Sequence, residues 1–196
     1  MTLRRTTTRL WLICHASTSA LRSSAFPVDE PLEPTAFRKL RDVSAELPDA
    51  DRCWTSPALR AIQTAKALRV PAVVEPLLRE CDYGVWAGRT LDEVQSRDPE
   101  AVAAWLRDPS AAPHGGESIA ALTARVATWL ETQRQIPGTT LAITHASVVR
   151  AAVVLALRAP PHSFWRIDVV PLSLTKLSST GEHWTLGSMG EAMRHS

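Results

Sequence analysis

Four ionisable residues stand out by where they fall. His15 follows the apolar run "RLWLIC", Arg60 closes "TSPALR", Glu80 sits in "LLRECDYG", and His145 follows "TTLAIT". Each comes just beyond a short strand-like segment, although His15 and His145 are 130 residues apart. In open α/β sheets ligands bind past the carboxyl ends of the strands, so all four are expected at one rim. Two histidines, an arginine and a carboxylate around an anion suit phosphoryl transfer. A neutral imidazole can attack phosphorus and carry the group covalently, dividing one hard displacement into two easier ones. His15 takes that role. Arg60 and His145 hold the equatorial oxygens with fixed donors rather than water. Glu80 protonates the leaving oxygen and then deprotonates the incoming water.

The elements that must position these residues alternate short apolar runs with longer helical patterns, the βαβ signature of a mostly parallel sheet covered on both faces. Strands are expected over 9–14, 51–56, 70–75 and 139–144, with a late pair around "STGE". Helices are expected over 57–69, 117–135 and 148–157. The stripe of the first is Ala58, Ala61, Ile62, Ala65 and Leu68; that of the second is Ile119, Leu122, Val126, Trp129, Leu130 and Gln133. Ser56 is expected as N-cap of the first, with Pro57 in its first turn, and the third is apolar nearly all round and so buried. Helices starting near Ser56 and Ser147 would aim free N–H groups at the rim, favouring an anion there. Residues 84–116 read as short helices and loops that cover a cleft.

In chain order, "CHAST" (14–18), "TSPALRAIQTA" (55–65), "LRECDYGVWAG" (78–88), "GGES" (115–118) and "THASVVR" (144–150) resemble the histidine phosphatase superfamily, also called phosphoglycerate mutase-like. The second block is the most specific. The resemblance spans about 9–160 and implies a three-layer α/β sandwich with a mostly parallel sheet and a small helical cap, as one domain over 1–196. It implies that His15 is phosphorylated, that Arg60 and His145 belong to the phosphate pocket, and that Glu80 is the proton donor. Thr18, Arg22 and Ala146 complete the expected phosphate-binding set. The chain departs from the family's R-H-G: Cys14 stands for the Arg, Ala16 for the Gly, and Leu21 for an Asn often found six residues on. Losing one preorganised donor typically costs about 3 to 4 kcal/mol, roughly 100 to 1000-fold in rate. Arg22 is the first candidate to replace the missing cation, and Arg150 the second.

Several residues carry plainer readings. Glu80, between Arg79 and Asp82, could form a surface ion pair. Glu117 and Ser118 read equally well as a helix start or as pocket residues, and His114 reads as an exposed loop histidine. Cys14 should point away from His15, because neighbouring strand residues face opposite sides. Trp11, Trp54 and Trp129 read as core, Trp86 and Trp105 as cleft lining.

The formal charge of +2, from 22 basic and 20 acidic residues without a long run of either sign, argues against nucleic acid as the main partner. Three scattered cysteines without C-x-x-C suggest neither a disulfide framework nor a zinc ribbon. No secretory leader or membrane span is read, and a cytoplasmic protein is expected. The function expected is a phosphomonoesterase acting on a small phosphorylated metabolite, with no metal or other cofactor. A phosphoglycerate mutase-type phosphotransferase and a catalytically degenerate phospho-ligand binder remain the alternatives.

Overall fold

The computed structural model describes residues 7–43 and 47–193, so the outermost parts of the expected 1–196 domain lie outside the described residues. The element order is β1 (Thr8–Cys14), α1 (Ser19–Arg22), α2 (Pro34–Val43), β2 (Arg52–Thr55), α3 (Leu59–Ala67), β3 (Val73–Val74), α4 (Leu91–Arg97), α5 (Pro99–Arg107), α6 (Ile119–Arg134), β4 (Gly138–Thr144), α7 (Ala146–Leu157), β5 (Ser173–Ser179) and β6 (Trp184–Ala192). The strands form one sheet in the order β3-β2-β4-β1-β5-β6. The first four run parallel, and the β5–β6 hairpin adds an antiparallel edge. This is the mostly parallel α/β sandwich expected from the sequence.

Alternation along the central strands makes the three layers. Leu10, Leu12 and Cys14 of β1 turn toward α6 and α7, where Leu122, Val126 and Trp129 meet them. Ile13 of β1 and Leu141 and Ile143 of β4 turn to the opposite face, against Leu40 of α2 and Ala61 and Ala65 of α3. The period of two in the strands thus fixes which helix packs on which side. The expected stripe of α6 is buried throughout, and α7 is buried along most of its length.

Four details differ from the sequence reading. Helix α2 was not anticipated: polar and charged residues dominate "PTAFRKLRDV", and only Ala36 and Leu40 enter the core cluster. Helix α3 begins at Leu59, after an extended Ala58, so Ser56 is not its N-cap. Asp29, from the loop between α1 and α2, accepts from the Leu59 N–H at 2.7 Å and caps the helix across the chain. Ile62 is exposed, while Gln63 turns inward to accept from the Leu32 N–H at 2.8 Å. Trp11 and Trp54 are half-buried rather than core.

Candidate active site

Strand register creates the site. Cys14 pairs with Thr144 across the parallel β1–β4 ladder, so His15 and His145 leave adjacent strands at the same level. The His15 N–H donates to the Thr144 carbonyl at 2.9 Å, and the two rings stand edge to face with centroids 5.1 Å apart. Thr55 pairs with Ile143, which brings Ser56 to the same rim. Residues separated by 130 positions are made neighbours by two hydrogen-bonded ladders.

The His15 ring is held from both sides. Its Nδ1 lies 2.8 Å from the Ala16 carbonyl, an acceptor only, so Nδ1 carries the proton. Nε2 then keeps its lone pair and accepts from Arg60 Nε at 3.3 Å. Burial, then the Arg60 charge, lower the His15 pKa from 6.5 to about 4, against the opposing pull of the Ala16 carbonyl. The ring is therefore neutral at neutral pH. Arg60 is 1% exposed, and its Nη1 donates to the Val28 carbonyl at 2.7 Å. A guanidinium so buried requires partners for its hydrogens, and its remaining arm, Nη2, lies 3.6 Å from Glu80 Oε2.

His145 is fully enclosed, and burial ahead of the neighbouring His15 and Arg60 holds its pKa well below the ordinary value. Its Nε2 lies 2.6 Å from Ser56 Oγ. The oxygen nearest Nδ1 belongs to the Glu80 carboxyl group, which favours the imidazole proton on Nδ1 and lets the Ser56 hydroxyl, itself accepting from the Ala58 N–H at 3.2 Å, donate to Nε2. Nδ1 is 3.3 Å from Glu80 Oε2 but makes no aligned hydrogen bond. Glu80 is similarly divided. Its Oε1 accepts from the Cys81 N–H at 3.0 Å and from Ser147 Oγ in a short contact, while Oε2 faces Arg60 and His145. Behind it, Arg125 braces the loop. Its guanidinium pairs with Glu117 at 2.6 Å and donates to the Leu77 and Arg79 carbonyls at 2.7 and 3.1 Å.

Of these groups His15, Arg60 and Glu80 open onto a cavity of about 100 Å³, also lined by Thr18, Ala146 and Glu30, while His145 is enclosed behind them and does not line it. Ala146 is the first residue of α7, which presents its N-terminus there. Thr18 Oγ1 accepts from the Leu21 N–H and caps α1. Cys14 also lines the cavity; burial and the charge of Glu80 push its thiol up to about 12, so it is no nucleophile. Arg22 does not replace the missing cation: its side chain is 75% exposed and pairs with Glu33 at 2.8 Å, outside this cavity. Arg150 donates to the Ile167 carbonyl at 2.8 Å and lies over the Phe164 ring. Trp86 and Trp105 do not line the cavity either; they pack edge to face with each other and with Phe26. His114 is 1% exposed, stacked on that aromatic group rather than free in a loop. Glu117 braces Arg125, and Ser118 caps α6.

Sequence reasoning missed Glu30, the Ser56 and Ser147 hydroxyls and Arg125. Ser56 and Ser147 fall within the motif segments, where a serine also suits a helix start; Glu30 and Arg125 carry no local signal.

His15, Glu80 and His145 offer three ligand atoms within 4.8 Å of one another, a set that could hold a metal. The Arg60 guanidinium, directed at the same atoms, favours an anion instead. Among the described residues no helix is long and apolar enough to cross a membrane.

Residues 10–192 match the family model described as histidine phosphatase superfamily (branch 1). The chain belongs to that superfamily. It is 35% identical over 137 residues to a Mycobacterium tuberculosis protein described as bifunctional, a match covering 65% of this chain and 37% of that protein. The chain therefore spans little more than a third of that relative. It is 29% identical over 174 residues to the adenosylcobalamin/alpha-ribazole phosphatase of Salmonella typhimurium, covering 82% of this chain and 85% of that one. A solved mycobacterial glucosyl-3-phosphoglycerate phosphatase in complex with VO3 superposes with a TM-score of 0.83 at 25% identity, over 94% of this chain and all of the other. The charged side chains that line the cavity are two carboxyl groups, Glu30 and Glu80, and one guanidinium, Arg60.

Proposed function

We propose that the protein is a phosphomonoesterase that hydrolyses a small phosphorylated metabolite through a phosphohistidine intermediate. The observation that carries this reading is the lone pair of His15 Nε2, fixed by the Nδ1–Ala16 hydrogen bond and set beside Arg60. In the first step Nε2 attacks phosphorus, the N–P bond forms, and the ester P–O bond breaks. The leaving oxygen takes the proton carried by Glu80 Oε2. Positive charge appearing on the imidazole is met by the Ala16 carbonyl. Arg60 turns its Nε from the ring to an equatorial oxygen, and His145 Nδ1, with no aligned partner of its own, donates to another. In the second step Glu80 takes a proton from water, the hydroxide attacks phosphorus, and the N–P bond breaks to release phosphate. Glu80 ends protonated, as it began.

Residues 84–116 serve in this reading as a cap that shapes the cavity wall from behind. Phe26, packed on Trp86 and Trp105, anchors the loop whose Ala25 and Pro27 face the ligand. Three free thiols fit work in the reducing cytoplasm.

A second reading is favoured by Cys14, which leaves the site one cation short: a protein that binds a phosphorylated ligand without turning it over. Release of phosphate from p-nitrophenyl phosphate, with acid-stable or base-stable phosphoenzyme identified by quench, separates the two. Turnover and a base-stable phosphoenzyme that both vanish in His15→Ala support the esterase. An equal background in both proteins, with phosphate still bound, supports the binder.

A further inference from the structure

Glu30 has no place in the chemistry just described, yet it lines the same cavity as His15, Arg60 and Glu80. Its side chain is 10% exposed. Oε2 accepts from the Val28 N–H at 2.9 Å, but Oε1 is buried and has no hydrogen-bond partner among the described residues. Arg60 does not answer it: Nη1 is 3.9 Å from Oε2 and gives its hydrogen to the Val28 carbonyl at 2.7 Å. A carboxylate oxygen held away from water without a donor is costly, and a ligand that supplies the donor recovers that cost.

We propose that Glu30 reads an ammonium group on the alcohol half of the substrate, so that the cavity prefers the phosphomonoester of a small amino alcohol carrying no second anion. This rests on the phosphomonoesterase reading of the site. Three observations set the class. With Glu80 protonated for the first step, Glu30 and Arg60 cancel, and a phosphate monoester brings about two negative charges; a carboxylate on the alcohol half would add a further anion beside Glu30, whereas an ammonium neutralises one. The uncharged lining is mostly apolar, with Ala20, Leu21, Ala25, Pro27, Val169 and Pro171, and its one hydroxyl, Thr18 Oγ1, is already engaged in capping α1. At about 100 Å³ the cavity is small beside the roughly 300–1,000 Å³ of common ligand pockets, which suits a short alcohol half. Arg60 lies between the two carboxylates, 3.9 Å from Glu30 and 3.6 Å from Glu80. A phosphoryl group held by Arg60 therefore has both carboxyl groups nearby, Glu80 for the ester oxygen and Glu30 within reach of the far end of a short chain.

The test compares phosphoethanolamine, n-propyl phosphate and phosphoserine, which share a chain length and differ in charge. In the wild type, kcat/KM for phosphoethanolamine should exceed that for the other two by tenfold or more. In Glu30→Gln, which keeps the shape and the acceptor for Val28, that ratio should collapse toward one. Binding to His15→Ala by calorimetry gives the same ratios without turnover. Equal kcat/KM for phosphoethanolamine and n-propyl phosphate in the wild type, or a Glu30→Gln variant that loses both in proportion, overturns the proposal and leaves the esterase intact. If p-nitrophenyl phosphate is not hydrolysed but His15→Ala still prefers phosphoethanolamine tenfold, the esterase reading falls and the ammonium site stands.

Discussion

Replacing His15 with Asn should make the protein less sensitive to acid. In the folded chain His15 titrates at about 4, against 6.5 unperturbed. Between those values the unfolded chain binds a proton that the folded chain refuses. Stability from this group is therefore intact above pH 6.5 and falls as the pH drops toward 4. At 1.36 kcal/mol per pH unit the full loss is about 3 kcal/mol, of which about 2 kcal/mol is reached by pH 5. Urea melts of wild type and His15→Asn at pH 7.5, 6 and 5 read this, because titrating groups remote from His15 are common to both and cancel, while His145 keeps the larger, burial part of its shift. The wild type should lose about 2 kcal/mol more than the variant between pH 7.5 and 5. Whatever packing the variant forfeits enters equally at each pH. Parallel loss in the two proteins would refute a neutral, buried nucleophile, and with it the lone pair on which the mechanism depends.

Other outcomes follow from the same geometry. Cys14→Arg places a guanidinium in the cavity near Glu80 and should raise kcat/KM for p-nitrophenyl phosphate by about tenfold or more; an unchanged rate would mean the pocket is rebuilt around the cysteine. Ser56→Ala removes the donor to His145 Nε2 and should lower kcat by about fivefold, the equivalent of about 1 kcal/mol. Its melting temperature should fall as well, because the buried His145 Nε2 and the Ala58 N–H both lose their partner. Glu117→Ala leaves the buried Arg125 guanidinium without its carboxylate and should cost about 3 to 5 kcal/mol in a denaturant melt. The carbonyls of Leu77 and Arg79 would then be its remaining acceptors.

Much of the fold was legible because apolar period and length agree in the central elements. β1, β4, α6 and α7 each carry a run or stripe that only one structure can bury. Helix α2 was missed because its polar residues hide the two that enter the core, and α3 was started early because its cap comes from Asp29, thirty residues upstream. The four central site residues could be picked out because each follows a strand. Arg22 went wrong for a definable reason. Sequence distance to His15 says which loop a side chain belongs to, not which way it points, and Glu33 drew this one outward. Glu30 and Arg125 matter through partners that are remote in sequence, so no local pattern announces them. His114 was misjudged because proline and glycine around it suggest an exposed turn, whereas the turn is folded under aromatic rings.

The spacing of the two imidazoles is a lattice constant of the sheet. Because His15 and His145 step off neighbouring strands at matched rungs, their separation is inherited from the interstrand repeat of about 4.8 Å rather than from any connection. Loops around the mouth can lengthen, shorten or change charge without retuning that gap. A single-residue insertion inside β1 or β4 would shift one ring by a rung and flip it to the wrong face, dismantling the pair while leaving every loop untouched.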